Sequence, residues 1–188
     1  MLVTRSTSMA IPVYRCYHIA MIKQQIHLIK MGGTIEFIDS AYDAINREML
    51  KLDTTIETYF NNIIKPHFDF TSDIVTDKDS RDIDVEDRER LASAISASEC
   101  SDILVTHGTF TMRETAEFLD QKGFEGKKII LTGSMIPMVG FAASDAGFNL
   151  GFAIASFSSL EAGVYLSMNG GLFRSNEVTK NEDIFRFE

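Results

Sequence analysis

From Met21 onward, short apolar runs rich in β-branched residues alternate with stretches in which apolar positions recur every three or four residues. The short runs read as buried strands, and the longer stretches as helices with one apolar stripe. Ile26 to Met31 is the first strand, Thr54 to Ile64 a helix stopped by Pro66, and Phe68 to Val75 the second strand. In the next helix Arg88, Leu91, Ala92 and Ile95 share a face behind Asp84 as N-cap, and Asp102 to Thr106 is the third strand. Thr111 and Glu114 have the spacing of a capping box, which predicts a helix start at Thr111 and leaves Phe110 in the turn before it. Lys128 to Ser134 is the fourth strand. A helix over Ser144 to Phe157 follows, with Gly147 and Gly151 spaced for close packing, and Gly163 to Met168 is the fifth strand. Strands joined through helices predict an α/β fold: a three-layer open parallel sheet with helices on both faces.

A length of 188 residues suits one domain over residues 21 to 188, preceded by a tail over residues 1 to 20 in which Pro12, Arg15 and His18 break any apolar core. Net charge narrows the choice of partners. At −9, with no basic cluster to reverse it locally, the chain is unsuited to nucleic acid and to anionic membranes, and no run is long and apolar enough to span a bilayer. Cys16 and Cys100 are the only cysteines, too few for a disulfide framework or a zinc site, so a reducing cytoplasm is expected and no metal is implied.

Ligands of open α/β sheets sit beyond the carboxyl ends of the strands, which directs attention to three turns. After the first strand come Gly32, Gly33 and Thr34; after the third, His107, Gly108 and Thr109; after the second, Asp79, Ser80, Arg81 and Asp82. Glycines permit close backbone approach there, and two threonines with a serine make a neutral, hydroxyl-lined pocket. A threonine becomes a nucleophile only if a base takes its proton. Of the histidines, His18, His27 and His67 lie in the tail, in a strand and beside a helix end, and His107 belongs to a strand end. Lys180 in the run SNEVTK is a candidate on the crevice side. On the residues alone, threonines that cap helices and a solvated lysine remain open alternatives. Phosphate binding at Gly32 and Gly33 lacks a GxGxxG pattern or a P-loop lysine to support it.

The motifs GGTI (Gly32 to Ile35), HGTFTM (His107 to Met112), TGSMIP (Thr132 to Pro137), SDAGFNL (Ser144 to Leu150) and VTK (Val178 to Lys180) occur in an order that resembles the amino-terminal domain of bacterial-type L-asparaginases. The resemblance implies a flavodoxin- or Rossmann-like domain and a cofactor-free amidohydrolase. It makes Thr34 the nucleophile that forms an acyl-enzyme, with Thr109 and Lys180 assisting. It also implies Ser80, with Arg81 beside it, as the binder of the substrate's α-carboxylate, Gly33 and Gly108 as pocket backbone, and Tyr42 as a tyrosine aiding the nucleophile. Sites in the family are completed between subunits, which implies a homo-oligomer of two or more chains. Full-length members carry a smaller second domain, which would begin after Glu188, although single-domain relatives also occur. The family pattern is HGTDTM, whose aspartate meets the substrate's ammonium and supports the lysine; Phe110 stands there in this chain. Its ring is expected to recover part of the loss by holding the ammonium, with Glu36, Asp79 and Asp82 as substitute carboxylates, and Lys180 is expected to lose its supporting anion. A non-catalytic amino-acid-binding module that keeps the pocket is the alternative.

Overall fold

The structure, a computed structural model, describes residues 23–36, 56–139 and 143–188; the expected tail over residues 1 to 20 lies outside them. Six strands form the main sheet: β1 (Gln25–Lys30), β2 (Asp69–Ile74), β3 (Asp102–Thr106), β4 (Lys128–Thr132), β5 (Gly163–Met168) and β6 (Gly171–Arg174). Their spatial order is β2-β1-β3-β4-β5-β6. The first five are parallel and β6 returns antiparallel on the edge. A separate hairpin of β7 (Lys180–Asn181) and β8 (Arg186–Phe187) follows. The five expected strands are therefore present, and three short ones after Met168 were not foreseen.

Helices cover both faces. Helix α1 starts at Ile56–Thr58 and continues as a π-helical stretch over Tyr59–Ile64; α2 is Val85–Ala97, α3 Met112–Lys122 and α4 Ala146–Ser156. Alternate strand residues divide between the layers because successive side chains of a strand point to opposite faces. Ile29, Ile103, Val105, Ile129 and Leu131 pack with α2 and α3. Ile26, Leu28, Leu104 and Ile130 pack with α1 and α4 on the other side. Burying one such side chain stabilises the fold by about 1.5–3 kcal/mol.

Asp84 caps α2 as expected, in a reciprocal capping box with Asp87. Thr111 does not cap α3. The helix begins at Met112, and the Thr111 hydroxyl donates instead to the Ser80 carbonyl at 2.5 Å, a tertiary acceptor that outcompetes the local cap. Gly147 is closely packed, since a β-carbon there would meet the Tyr59 hydroxyl at 2.7 Å, whereas Gly151 faces open space. Only the first of that expected pair serves packing.

The connection out of β1 runs to the sheet edge at β2, and the chain then crosses back to β3 on the other flank of β1. β1 thus connects to the strand on one flank and β3 to the strand on the other, and the carboxyl ends of these two strands are where an open α/β sheet accepts a ligand.

Candidate active site

Gly33 and Gly108 meet at those carboxyl ends. Gly33 has φ of 86°, and a β-carbon on it would overlap the Gly108 backbone. A β-carbon on Gly108 would in turn come within 2.6 Å of the Ser80 Oγ. The three turns are thus in direct contact, with no side chain between the two glycines. Thr34 opens a short 3-10 turn (Thr34–Glu36) immediately after one glycine, and Thr109 follows the other. Neither hydroxyl is hydrogen-bonded to another side chain among the described residues.

Behind Thr109 the turn is anchored by His107, which is fully buried. The Gly108 carbonyl can only accept, so Nδ1 of His107 carries the proton and donates to it at 2.7 Å. Nε2 is then an acceptor for the Thr115 hydroxyl at 2.9 Å, and that hydroxyl itself accepts from Arg88 Nε at 3.0 Å. Burial pulls the His107 pKa down to about 4, and the nearby Arg88 charge lowers it further against the opposing Gly108 bond. The imidazole is neutral at pH 7 and engaged on both nitrogens.

Ser80 sits in a 3-10 turn (Ser80–Asp82) capped by Asp79, whose side chain accepts from the Arg81 amide. Asp79 also grips the Arg81 guanidinium through Nε at 2.9 Å and Nη2 at 3.0 Å, and this pairing holds its carboxyl down at about 2. The Ser80 hydroxyl is buried with no partner among the described residues. It is sealed against Gly108, so contact with a ligand's carboxylate requires the turn to shift. Arg81 keeps its Nη1 clear of that salt bridge and is the exposed cation of this turn.

Lys180 reaches the site from β7. Its hairpin is fastened by Val178 and Phe187 in the core and by Asn169, whose Oδ1 accepts from the Phe187 amide at 3.1 Å. The Asn169 amide donates to Oδ1 of buried Asn149, and Asn149 donates to the Gly133 carbonyl at 3.0 Å, so two asparagines tie the ends of β4, β5 and β8 together. Asp145 fixes the loop after β4 by accepting from the Met135 and Ile136 amides. These supports follow from SDAGFNL and the Asn169 turn, but their polar partners lie far apart in the chain, and the sequence offers no spacing that reveals them.

Phe110 is half exposed, and both cations stack on it: Lys180 Nζ lies 4.1 Å and Arg81 Cζ 4.7 Å from the ring centroid. The aromatic face expected to receive a substrate ammonium is already in use. Lys180 also keeps an anion, because Glu182 Oε2 stands 3.0 Å from Nζ. The expected loss of its support is corrected by a residue two positions on, in the turn that follows its strand, a partner the sequence reading missed. Of the substitute carboxylates, Glu36 turns instead to buried Lys30, 3.7 Å away, which Glu57 also binds at 2.7 Å. Burial pushes the Glu36 carboxyl up, against the opposing pull of Lys30. Asp79 is committed to Arg81, and Asp82 is exposed. Tyr42 lies outside the described residues. No cluster of metal-binding side chains occurs among those described, and no described helix is long and apolar enough to cross a membrane.

Two kinds of comparison bear on this geometry. The chain is 33% identical over 166 residues to a probable periplasmic L-asparaginase of Haemophilus influenzae, covering 82% of this chain and 46% of that one. It is 44% identical over 85 residues to a glutaminase-asparaginase of Acinetobacter glutaminasificans, covering 44% of this chain and 25% of the relative. In structure it is similar to L-asparaginase I of Vibrio cholerae, with a TM-score of 0.73 and 28% identity over 88% of this chain and 51% of that one. A probable cytoplasmic L-asparaginase of Campylobacter jejuni gives 0.71 and 27% at the same coverage. The chain spans about half or less of the length of these relatives. Its residues 25–184 match the family model described as Asparaginase, N-terminal, and the chain belongs to the asparaginase family.

Proposed function

We propose that this domain hydrolyses a small-molecule amide through an acyl-enzyme on Thr34. The contact between the Gly33 and Gly108 turns carries the reading, because Thr34 follows the first glycine and Thr109 the second. Thr34 Oγ attacks the amide carbon, the C–N bond breaks, and the hydroxyl proton leaves with the amine as ammonia. Water then cleaves the ester to release a carboxylic acid and restore the hydroxyl. Thr109 and Lys180 serve as the route for the proton, the lysine oriented by Glu182 and by the Phe110 ring. Such a nucleophile and proton route need no metal or organic cofactor.

The names of the relatives support a side-chain amide such as that of L-asparagine; in this reading Arg81, and Ser80 once its turn shifts, take the carboxylate end. Homo-oligomerisation to a dimer or beyond, and residence in the cytoplasm, complete this reading; light scattering checks the first. The test is ammonia release from L-asparagine, L-glutamine and simple monoamides. Thr34→Ala should lower kcat by at least about a thousandfold, as loss of a nucleophile does. Release that survives this substitution rules out the threonine mechanism.

Phe110, which stands where the family pattern has aspartate and carries Lys180 and Arg81 on its ring, favours one alternative, a module that binds an amino acid or related carboxylate without turnover. Calorimetric binding with no ammonia from any amide would select it.

A further inference from the structure

The charges around Phe110 specify a substrate class. Among the described residues near the turns, Asp79 is paired with Arg81, Glu182 with Lys180 and Glu36 with buried Lys30, while Asp77 and Asp82 are exposed to solvent. Next to Thr109 on its turn stands an aromatic ring carrying two cations, at 4.1 and 4.7 Å from its centroid. An incoming ammonium would find the ring's favourable face taken by two cations, and the carboxylates Glu182 and Asp79 already engaged by them. A carboxylate at the same place would meet Arg81, whose Nη1 is not engaged by Asp79, and the Lys180 ammonium.

We propose that the site selects ω-monoamides of dicarboxylic acids that carry no ammonium, such as succinamate, over α-amino acid amides. This rests on the reading of the site as an amide hydrolase. Phe110, Arg81 and Lys180 are the residues that set the preference: the ring supports the two cations, and they discriminate by charge. An apolar ring in place of a carboxylate would also leave any substrate ammonium desolvated without a partner, which adds to the discrimination.

Succinate and L-aspartate differ by one ammonium, and so do succinamate and L-asparagine. Calorimetry on the full chain should give succinate a Kd at least roughly tenfold below that of L-aspartate, the effect of one charged contact. Succinamate should exceed L-asparagine by a similar factor in kcat/KM. Phe110→Asp should narrow or reverse both ratios by placing an anion between the two cations, whereas Phe110→Leu, which adds no charge, should keep the diacid preference. L-Aspartate binding as tightly as succinate, binding of neither diacid, or a ratio unmoved by Phe110→Asp overturns the proposal. The binding comparison needs no turnover. Silence of both amides in the ammonia assay therefore sinks the hydrolase reading alone, while the diacid ratio still decides the selectivity.

Discussion

His107 and Phe110 stand three residues apart on one turn and live in opposite environments. The first is fully buried, neutral, and hydrogen-bonded on both ring nitrogens. The second is 50% exposed, with Lys180 and Arg81 stacked on its ring. Buried polar groups in low dielectric must find partners, and the chain Arg88–Thr115–His107–Gly108 does so link by link. An exposed ring carries no such demand. The back of the turn is therefore set by a network in which each member depends on the next, and the front can change residue type while the hydroxyl of Thr109 stays where it is.

The largest effect that separates the two sides is a response to acid. An unfolded histidine takes up a proton near pH 6.5, whereas His107 in the native protein holds out to about 4. Between those values the unfolded state binds more protons, so stability falls as pH falls through 6.5 and levels off below about 4. The total loss is about 3 kcal/mol from this group. Its ring resonances in an NMR titration should move with a midpoint near 4; a midpoint near 6.5 would show that the network is not as described. Next in size, Thr115→Val removes the middle link and leaves the His107 Nε2 without a partner, costing about 2 kcal/mol in urea unfolding. A cost indistinguishable from zero would mean that the network does not hold the turn. The smallest effect belongs to the front: Phe110→Ala should change stability by less than about 1 kcal/mol, since cation–π pairs at exposed sites contribute no more than that. A larger loss would place Phe110 among the supports and erase the contrast.

What the sequence made legible follows the same division. Strands β1, β3 and β4 are buried in a parallel sheet, which makes them continuous apolar runs that stand out in the chain. The glycine-threonine turns at their ends were visible because glycine is demanded where two backbones touch. Strand β6 was missed although Asn169 and Gly170 both have positive φ, the mark of a tight hairpin turn that an Asn-Gly pair signals. The Thr111 cap was misread because a motif states only local options, and the Ser80 carbonyl was a distant one. Glu182 escaped for a different reason: the HGTDTM pattern directs attention to position 110 for the anion, while the structure supplies it from the turn right after the lysine's strand. The roles assigned to Thr34, Thr109, Lys180, Ser80 and Arg81 rest on motif matching and on the turns that now lie together, and the kinetic tests above address them.

Where Gly33 lies against Gly108, the spacing of the two threonine turns is a backbone dimension, with no rotamer or packing choice in it. Divergence elsewhere in the pocket can alter what is recognised without retuning that span. A methyl group on Gly33, by contrast, would wedge the two turns apart, and one on Gly108 would press into the Ser80 side chain.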